Sequence, residues 1–405
     1  MRPIDPNAFQ LAQRGTPRAI NRRIALNLIR ARQPLSRADL ARLMRTSRAA
    51  VGVLVKDLIT DGLVFEGAKG EALRGRKPQF LYIETRKRCI VAVDLRPTRI
   101  SVMITDLVGR PLVGVTGFDT PRDPKRCIEL IARRIRALLD EHPTVGRCEG
   151  IGVVVPGMVD PTGSRILFAP RLDWTDVSLR EPLAKATGLP VHIENSGRAG
   201  ALAQIWTSRG DGGPPPDFVF LSVSDGLGVG VVVGGRLLRG RHNIGGEFGH
   251  VPLNVDGPPC ACGASGCWEA YVSNLATLSR YFGRKLSPRK PIPRALAAFS
   301  IENLIARARG GDGHAVDALQ STARYLGLGL GGLINAIDPS RIYVSGEITT
   351  VWDLIEPAML KALRDRVLPP AGPPQIVLVP ASDVPRLRGA AALVSAPAFA
   401  APEVA

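Results

Sequence analysis

One pattern limits what this chain can fold into more than any other: a strand–turn–strand series that occurs twice. The runs "CIVAVDL", "RISVMITD" and "PLVGVTGF" follow one another from Cys89, separated by turn residues, and lead into an amphipathic segment around "CIELIARRIRALLDE" and then the apolar run "GIGVVVPGMVD". The theme returns in "DFVFLSVSDGLGVGVVVGGRLL", ahead of helical stretches and a last strand, "RIYVS". Period-two and uniformly apolar runs of this length predict β-strands, the longer amphipathic segments helices. Two β-rich units, each followed by helices, predict a duplicated α/β architecture with a cleft between two lobes. The first lobe is expected over 88–194, completed by 385–398, and the second over 195–384. The loop "SRGDGGPPPD", 208–217, is the clearest internal punctuation. A chain of 405 residues with 45% hydrophobic composition can bury more than one core.

Residues 1–80 follow a different pattern. Through Pro78 there are sixteen Lys/Arg against six Asp/Glu, so this first fifth carries +10 of the formal net charge of +17. Such a balance suits a module that meets nucleic acid; a solvated basic face is the alternative. Ile20, Ile24, Ala25 and Leu28 recur at helical spacing. Ser36 and Asp39 occupy capping-box positions before Leu40 and Leu43, and Ser47 can cap a third helix with an apolar stripe of Val51, Leu54, Val55, Leu58 and Ile59. "DG" at 61–62 stops that helix, and "LVFEG" and "QFLYI" supply a hairpin. Three helices and a hairpin predict a winged helix-turn-helix.

In such a module the third helix enters the major groove of double-stranded DNA, and its outward residues are Arg48, Ala49, Gly52, Val53 and Lys56. Glycine inside a helix costs about 1 kcal/mol against alanine, and close approach to DNA is one reason to keep Gly52. "RGRKP" at 74–78 resembles an AT-hook core, in which Arg74 and Arg76 would enter a narrow minor groove; a basic linker is the other reading. One such module reads few base pairs, so a homodimer or homotetramer on an inverted repeat is expected.

Six cysteines are present, and three of them fall within eight positions, in "PPCACGASGCWEA". His250, Cys260, Cys262 and Cys267 offer one imidazole and three thiolates, a closed tetrahedral set suited to structural Zn²⁺ with no position left for water. Reduced, buried cysteines without metal are the alternative.

The order "GVVVPGMVD", "ENSGRAGALAQ", "GRLLRGRHNIGGEFGHV", "CACGASGCWE" resembles the ROK family of repressors, open reading frames and kinases, and the added N-terminal module resembles its regulator branch. The resemblance spans about residues 20–397. It implies an actin-like ATPase fold of two RNase H-like lobes, a sugar site in the cleft and a structural zinc. It further implies that Glu247, Glu269 and His250 meet sugar hydroxyls, with Asn195 and Gly157 at further matching positions. A carboxylate is suited to gripping adjacent hydroxyls; the alternative is that Glu247 and Glu269 satisfy backbone groups of the lobe.

The family's kinase pattern is broken at four places. Arg96 and Pro97 of "DLRPT" replace two glycines of the first phosphate loop, and proline removes a donor. "ENS" places Ser196 where kinases carry the aspartate that takes the sugar proton, and a serine is no general base at neutral pH. Leu227 stands where threonine is usual, and "SGE", Ser345–Glu347, puts a carboxylate where the nucleotide would lie. The expected protein is a cytoplasmic, sugar-responsive transcriptional regulator, most simply a repressor, without catalytic residues. A sugar kinase bearing a DNA-binding domain, and a regulator with a vestigial cleft, are the alternatives.

Overall fold

Two serines fix where the second and third N-terminal helices start. The computed structural model describes residues 17–69, 78–207, 214–290, 293–368 and 374–399. Helix α1 (Pro17–Arg32) precedes a two-residue strand β1 (Leu35–Ser36), and Ser36 caps α2 (Arg37–Leu43). The Ser36 Oγ accepts from the Asp39 amide while Asp39 accepts from the Ser36 backbone, so two otherwise orphaned donors are satisfied reciprocally. Ser47 caps α3 (Arg48–Thr60) through the Ala50 amide, and Gly62, at φ +63°, turns the chain out of it. Strands β2 (Val64–Lys69) and β3 (Gln79–Ile83) form the expected antiparallel pair, and β1 adds to the other side of β3. That third strand is too short to leave a period in the sequence. Val51, Leu54, Val55 and Leu58 share one core with Leu28, Leu40 and Leu81. Arg74 and Arg76 lie outside the described residues.

The opposite face of α3 is open. Arg48, Ala49 and Lys56 are exposed, Val53 is 53% exposed, and a β-carbon built at Gly52 would meet nothing within 4 Å. Packing within the chain therefore gives no reason for glycine there. Gly52→Ala is expected to raise the unfolding free energy by about 0.5–1 kcal/mol, read from urea denaturation. A loss of stability would mean that this helix face is constrained within the chain itself.

The body is built from two sheets of the same plan. Strands β4 (Arg88–Leu95), β5 (Arg99–Thr105) and β6 (Pro111–Asp119) form an antiparallel meander; α4 (Pro124–Glu141) leads to β7 (Arg147–Val155), which lies parallel to β4. A small side sheet of β8 (Met158–Val159), β9 (Arg165–Ala169) and β10 (Trp174–Ser178) follows. Helix α5 (Arg180–Thr187) then returns the chain to β11 (Val191–Asn195), parallel to β7. After α6 (Ser196–Thr207), strands β12 (Phe218–Val223), β13 (Leu227–Val233) and β14 (Arg236–Leu237) repeat the meander.

Helices α7 (Glu269–Val272), α8 (Asn274–Tyr281), α9 (Arg294–Ala297), α10 (Ile301–Arg309) and α11 (Gly313–Ile337) come next. Strand β15 (Arg341–Ser345) then pairs parallel to β12, α12 (Trp352–Arg364) follows, and β16 (Gln375–Val379) pairs parallel to β15. The orders β6-β5-β4-β7-β11 and β14-β13-β12-β15-β16 are the same plan used twice. Ile151–Val155 are all buried, which is why β7 reads as a continuous apolar run rather than an alternating one.

Helix α13 (Pro385–Phe399) closes the chain onto the first sheet, where Leu387, Ala390 and Ala391 share a core with Ile90, Ala92, Val154 and Ala199. It also packs along α6. At the far ends of these two helices sits α1. Asn27 Nδ2 donates to the Phe399 carbonyl at 2.6 Å, and the Arg30 guanidinium lies 4.4 Å from the Trp206 ring centroid and 5.2 Å from that of Phe399.

Candidate effector cleft and metal centre

His250, Cys260, Cys262 and Cys267 come together with all four ligand atoms within 4.8 Å of one another. The Cys262–Cys267 Sγ separation is 3.7 Å, and His250 Nδ1 stands 3.6 Å from Cys260 Sγ. A tetrahedron with Zn–S of about 2.3 Å and Zn–N of about 2.05 Å has edges of about 3.8 and 3.6 Å, so the donors fit such an ion in number, chemistry and spacing. The loop reaches this shape through Gly266, at φ +72°, where a β-carbon would lie 1.5 Å from the Asn254 carbonyl oxygen.

Gly157, Asn195, Glu247, His250 and Glu269 all line one cavity between the two sheets. Asn195 ends β11 and caps α6: its Oδ1 accepts from the Gly197 amide at 2.8 Å, leaving Nδ2 to donate to the Gly157 carbonyl at 2.8 Å and to Glu247 at 3.4 Å. At Gly157 a β-carbon would stand 2.4 Å from the Phe168 carbonyl, so no other residue fits this turn. Burial pushes the Glu247 carboxyl above its ordinary range, against the pull of His250 and Arg198. Glu269 is partly committed already: Oε2 accepts from the Leu227 amide at 2.9 Å, and Oε1 lies 3.5 Å from Arg171 Nη2. One oxygen thus satisfies a backbone group of the lobe, and the other faces a cation.

Residues 90–396 match the family model described as "ROK family". The chain belongs to the ROK family. It is 28% identical over 365 residues to the xylose repressor of Bacillus spizizenii, an alignment covering 90% of this chain and 91% of that one. Among solved structures, a ROK family transcriptional regulator described as a homolog of the E. coli MLC protein superposes with a TM-score of 0.76 at 28% identity, covering 94% of this chain and 96% of that one. A ROK family glucokinase from Streptomyces griseus, in complex with glucose and AMPPNP, gives a TM-score of 0.63 at 28% identity and covers 75% of this chain and 98% of that one. The α/β fold is thus the ROK fold.

In this ROK chain the corner beside Pro97 and the Gly226 loop is filled by charge. Arg96 Nε donates to Asp94 at 3.1 Å, and its Nη1 reaches across to Glu347, after β15, at 3.3 Å and to Ser224 at 3.4 Å. Arg386, from α13, donates to the other Asp94 oxygen at 2.6 Å. Glu347 also accepts from Ser224 and from Asn274 Nδ2. Burial works to lower the Arg96 pKa, but the carboxylates of Asp94, Glu347 and Asp225 outweigh it and hold the group above its ordinary value. Ser196 lines the same cleft at the start of α6.

Three features were not anticipated from sequence. Arg171 and Arg386 line the cleft without any local motif to mark them. Behind Asn195, Glu194 binds Arg198 at 2.8 Å and Arg239 at 2.7 Å, with the Glu194 and Arg198 side chains 3% and 1% exposed. An acidic residue four before an arginine was visible, but nothing local says that both are buried. Among the described residues, no helix is long and apolar enough to cross a membrane.

Proposed function

We propose that this ROK chain is a sugar-responsive, DNA-binding transcriptional regulator, a repressor released by its effector, with a structural zinc and no kinase activity. The observation that carries the reading is the run of α6 and α13 from the cleft to α1. Helix α6 begins at Ser196, beside Asn195, and ends near Trp206 against Arg30; α13 carries Arg386 in the cleft and ends at Phe399 against Asn27. At 12 and 15 residues these helices span about 18 and 22 Å, so two rigid rods join effector residues to the N-terminal module.

That module, residues 1–80, is read as a winged helix-turn-helix, with α3 presenting Arg48, Ala49, Gly52, Val53 and Lys56 to DNA and Arg74 and Arg76 beyond the wing. The lobes are read as 88–194 with 385–398, and 195–384. The ligand cavity of ≈ 80 Å³ is small beside the roughly 300–1,000 Å³ of typical ligand pockets, so a sugar ring requires the two sheets to part. Parting them stretches the Arg96–Glu347 pair and moves the cleft ends of α6 and α13. Release from DNA is then a population shift toward the opened form. A homodimer or homotetramer supplies the second DNA half-site.

The kinase reading is disfavoured by the charged corner. Arg96, Glu347 and Arg386 take the space and the donors that phosphate would need, and Ser196 supplies no base. D-xylose, D-glucose and other common sugars titrated calorimetrically into the full chain with ATP and Mg²⁺ present should show one that binds and none that is phosphorylated. Glu247→Gln should weaken that sugar by about 1.5–3 kcal/mol, the loss of a charge-assisted hydrogen bond. Accumulation of sugar phosphate would instead support the kinase, and a binding sugar indifferent to Glu247→Gln would misplace the site.

A further inference from the structure

A second cavity, of ≈ 530 Å³, opens beside the metal-binding loop, on the far side of Arg171 and Glu269 from the effector cleft; these two residues are common to the linings of both. Its size falls within the range of small-molecule sites. Three cations line it: Arg171, Arg280 and Lys285. Against them stand the exposed Asp256 and Glu269, the latter already holding the Leu227 amide and Arg171.

The decisive residue is Arg280, on α8. Its Nη2 donates to the Tyr271 carbonyl at 2.9 Å and to the Thr322 hydroxyl, but among the described residues its buried Nε has no partner, and neither does the buried Nε of Arg171. Burial pulls the Arg280 pKa down to about 10, opposed by Tyr325 and by no carboxylate. A desolvated guanidinium without an anion is costly, and Arg280 lines this cavity with no carboxylate set against it. Beside these donors the wall is apolar. Tyr271 and Tyr325 have ring centroids 4.4 Å apart, with Leu275 and Leu286 completing the lining.

From the cavity, its three lining cations and the ring-lined wall, we infer that this is a second ligand site, separate from the sugar cleft, for a small organic anion: a carboxylate or phosphate carried on a ring. The anion sits between Arg280 and Arg171 with Lys285 at the rim, and the ring lies against the tyrosine pair. Arg171 also pairs with Glu269, so occupancy of this site draws on a residue that faces the cleft. The inference does not depend on which sugar the cleft takes.

The test uses full-length, metal-loaded protein and calorimetry at fixed ionic strength with three probes. Phenyl phosphate represents an aryl source, glucose 6-phosphate a sugar source, and inorganic phosphate the anion alone. At least one ring-bearing probe should bind saturably at one per chain and more tightly than inorganic phosphate. Arg280→Met and Arg171→Met should each weaken it at least tenfold and Lys285→Ala two- to fivefold, while Arg280→Lys retains most of the affinity and Glu247→Gln, in the cleft alone, leaves it unchanged. Absence of saturable binding by all three probes overturns the inference, as does equal affinity in wild type and Arg280→Met. Loss on Glu247→Gln overturns it too, because the anion would then occupy the cleft. Should Arg280→Met fail to fold, Lys285→Ala decides: an exposed rim lysine whose removal leaves affinity unchanged also overturns the site.

Discussion

Cys262→Ser is expected to strip the chain of zinc and to lower its stability by about 4 kcal/mol or more. Four ligand atoms within 4.8 Å of one another, with edges that match a tetrahedral ion, leave no slack for a weaker ligand. An ion that binds only the folded chain, present at a thousand times its dissociation constant, contributes about 4.1 kcal/mol. Because His250 belongs both to this set and to the cleft lining, sugar affinity should fall with metal content. Elemental analysis together with thermal melts reads both effects. Wild-type protein purified without chelator should carry about one zinc per chain, and a Cys262→Ser protein with the same content would refute the centre.

Glu194→Ala should cost about 3–5 kcal/mol, which sets it apart from the exposed ion pairs among the described residues. Removing this carboxylate leaves Arg198, 1% exposed, as an uncompensated buried charge, and the Asn195 amide loses its acceptor as well. Arg165→Ala offers the contrast. Its pair with Asp176 has side chains 44% and 65% exposed, and solvent screening holds such pairs to about 0–1 kcal/mol. Urea denaturation of the two variants side by side should show the large loss only for Glu194→Ala. Equal, small losses would mean that water reaches Arg198 and that the network behind Asn195 is not dry.

These two sites also show what can be read from sequence and what cannot. The His250, Cys260, Cys262 and Cys267 cluster was legible because its four residues lie within 18 positions and their spacing has few other uses. The caps at Ser36 and Ser47 were legible because a cap is settled within three residues. The duplicated sheets were legible because the strand periods survive in the sequence, whereas β1 and β8, at two residues each, carry no period. Glu247 and Glu269 became candidates through resemblance rather than spacing, and the structure adds that Glu269 already serves the Leu227 amide. Arg386 was out of reach altogether. It meets Asp94 across 292 positions of sequence, and only the return of α13 to the first sheet brings the two together.

On the proposed reading, the cleft and the outward face of α3 are two ends of one switch. Fluorescence anisotropy with operator DNA at fixed salt, with and without the sugar found by calorimetry, tests it most directly. Coupling of about 1–3 kcal/mol predicts that saturating sugar weakens operator binding between about 5- and 150-fold, and that operator weakens sugar binding by the same factor. Trp206→Ala, at the α1 end of α6, should shrink that factor without removing either ligand's own affinity. Operator affinity that stays the same when the cleft is filled would mean that the two ends are not coupled.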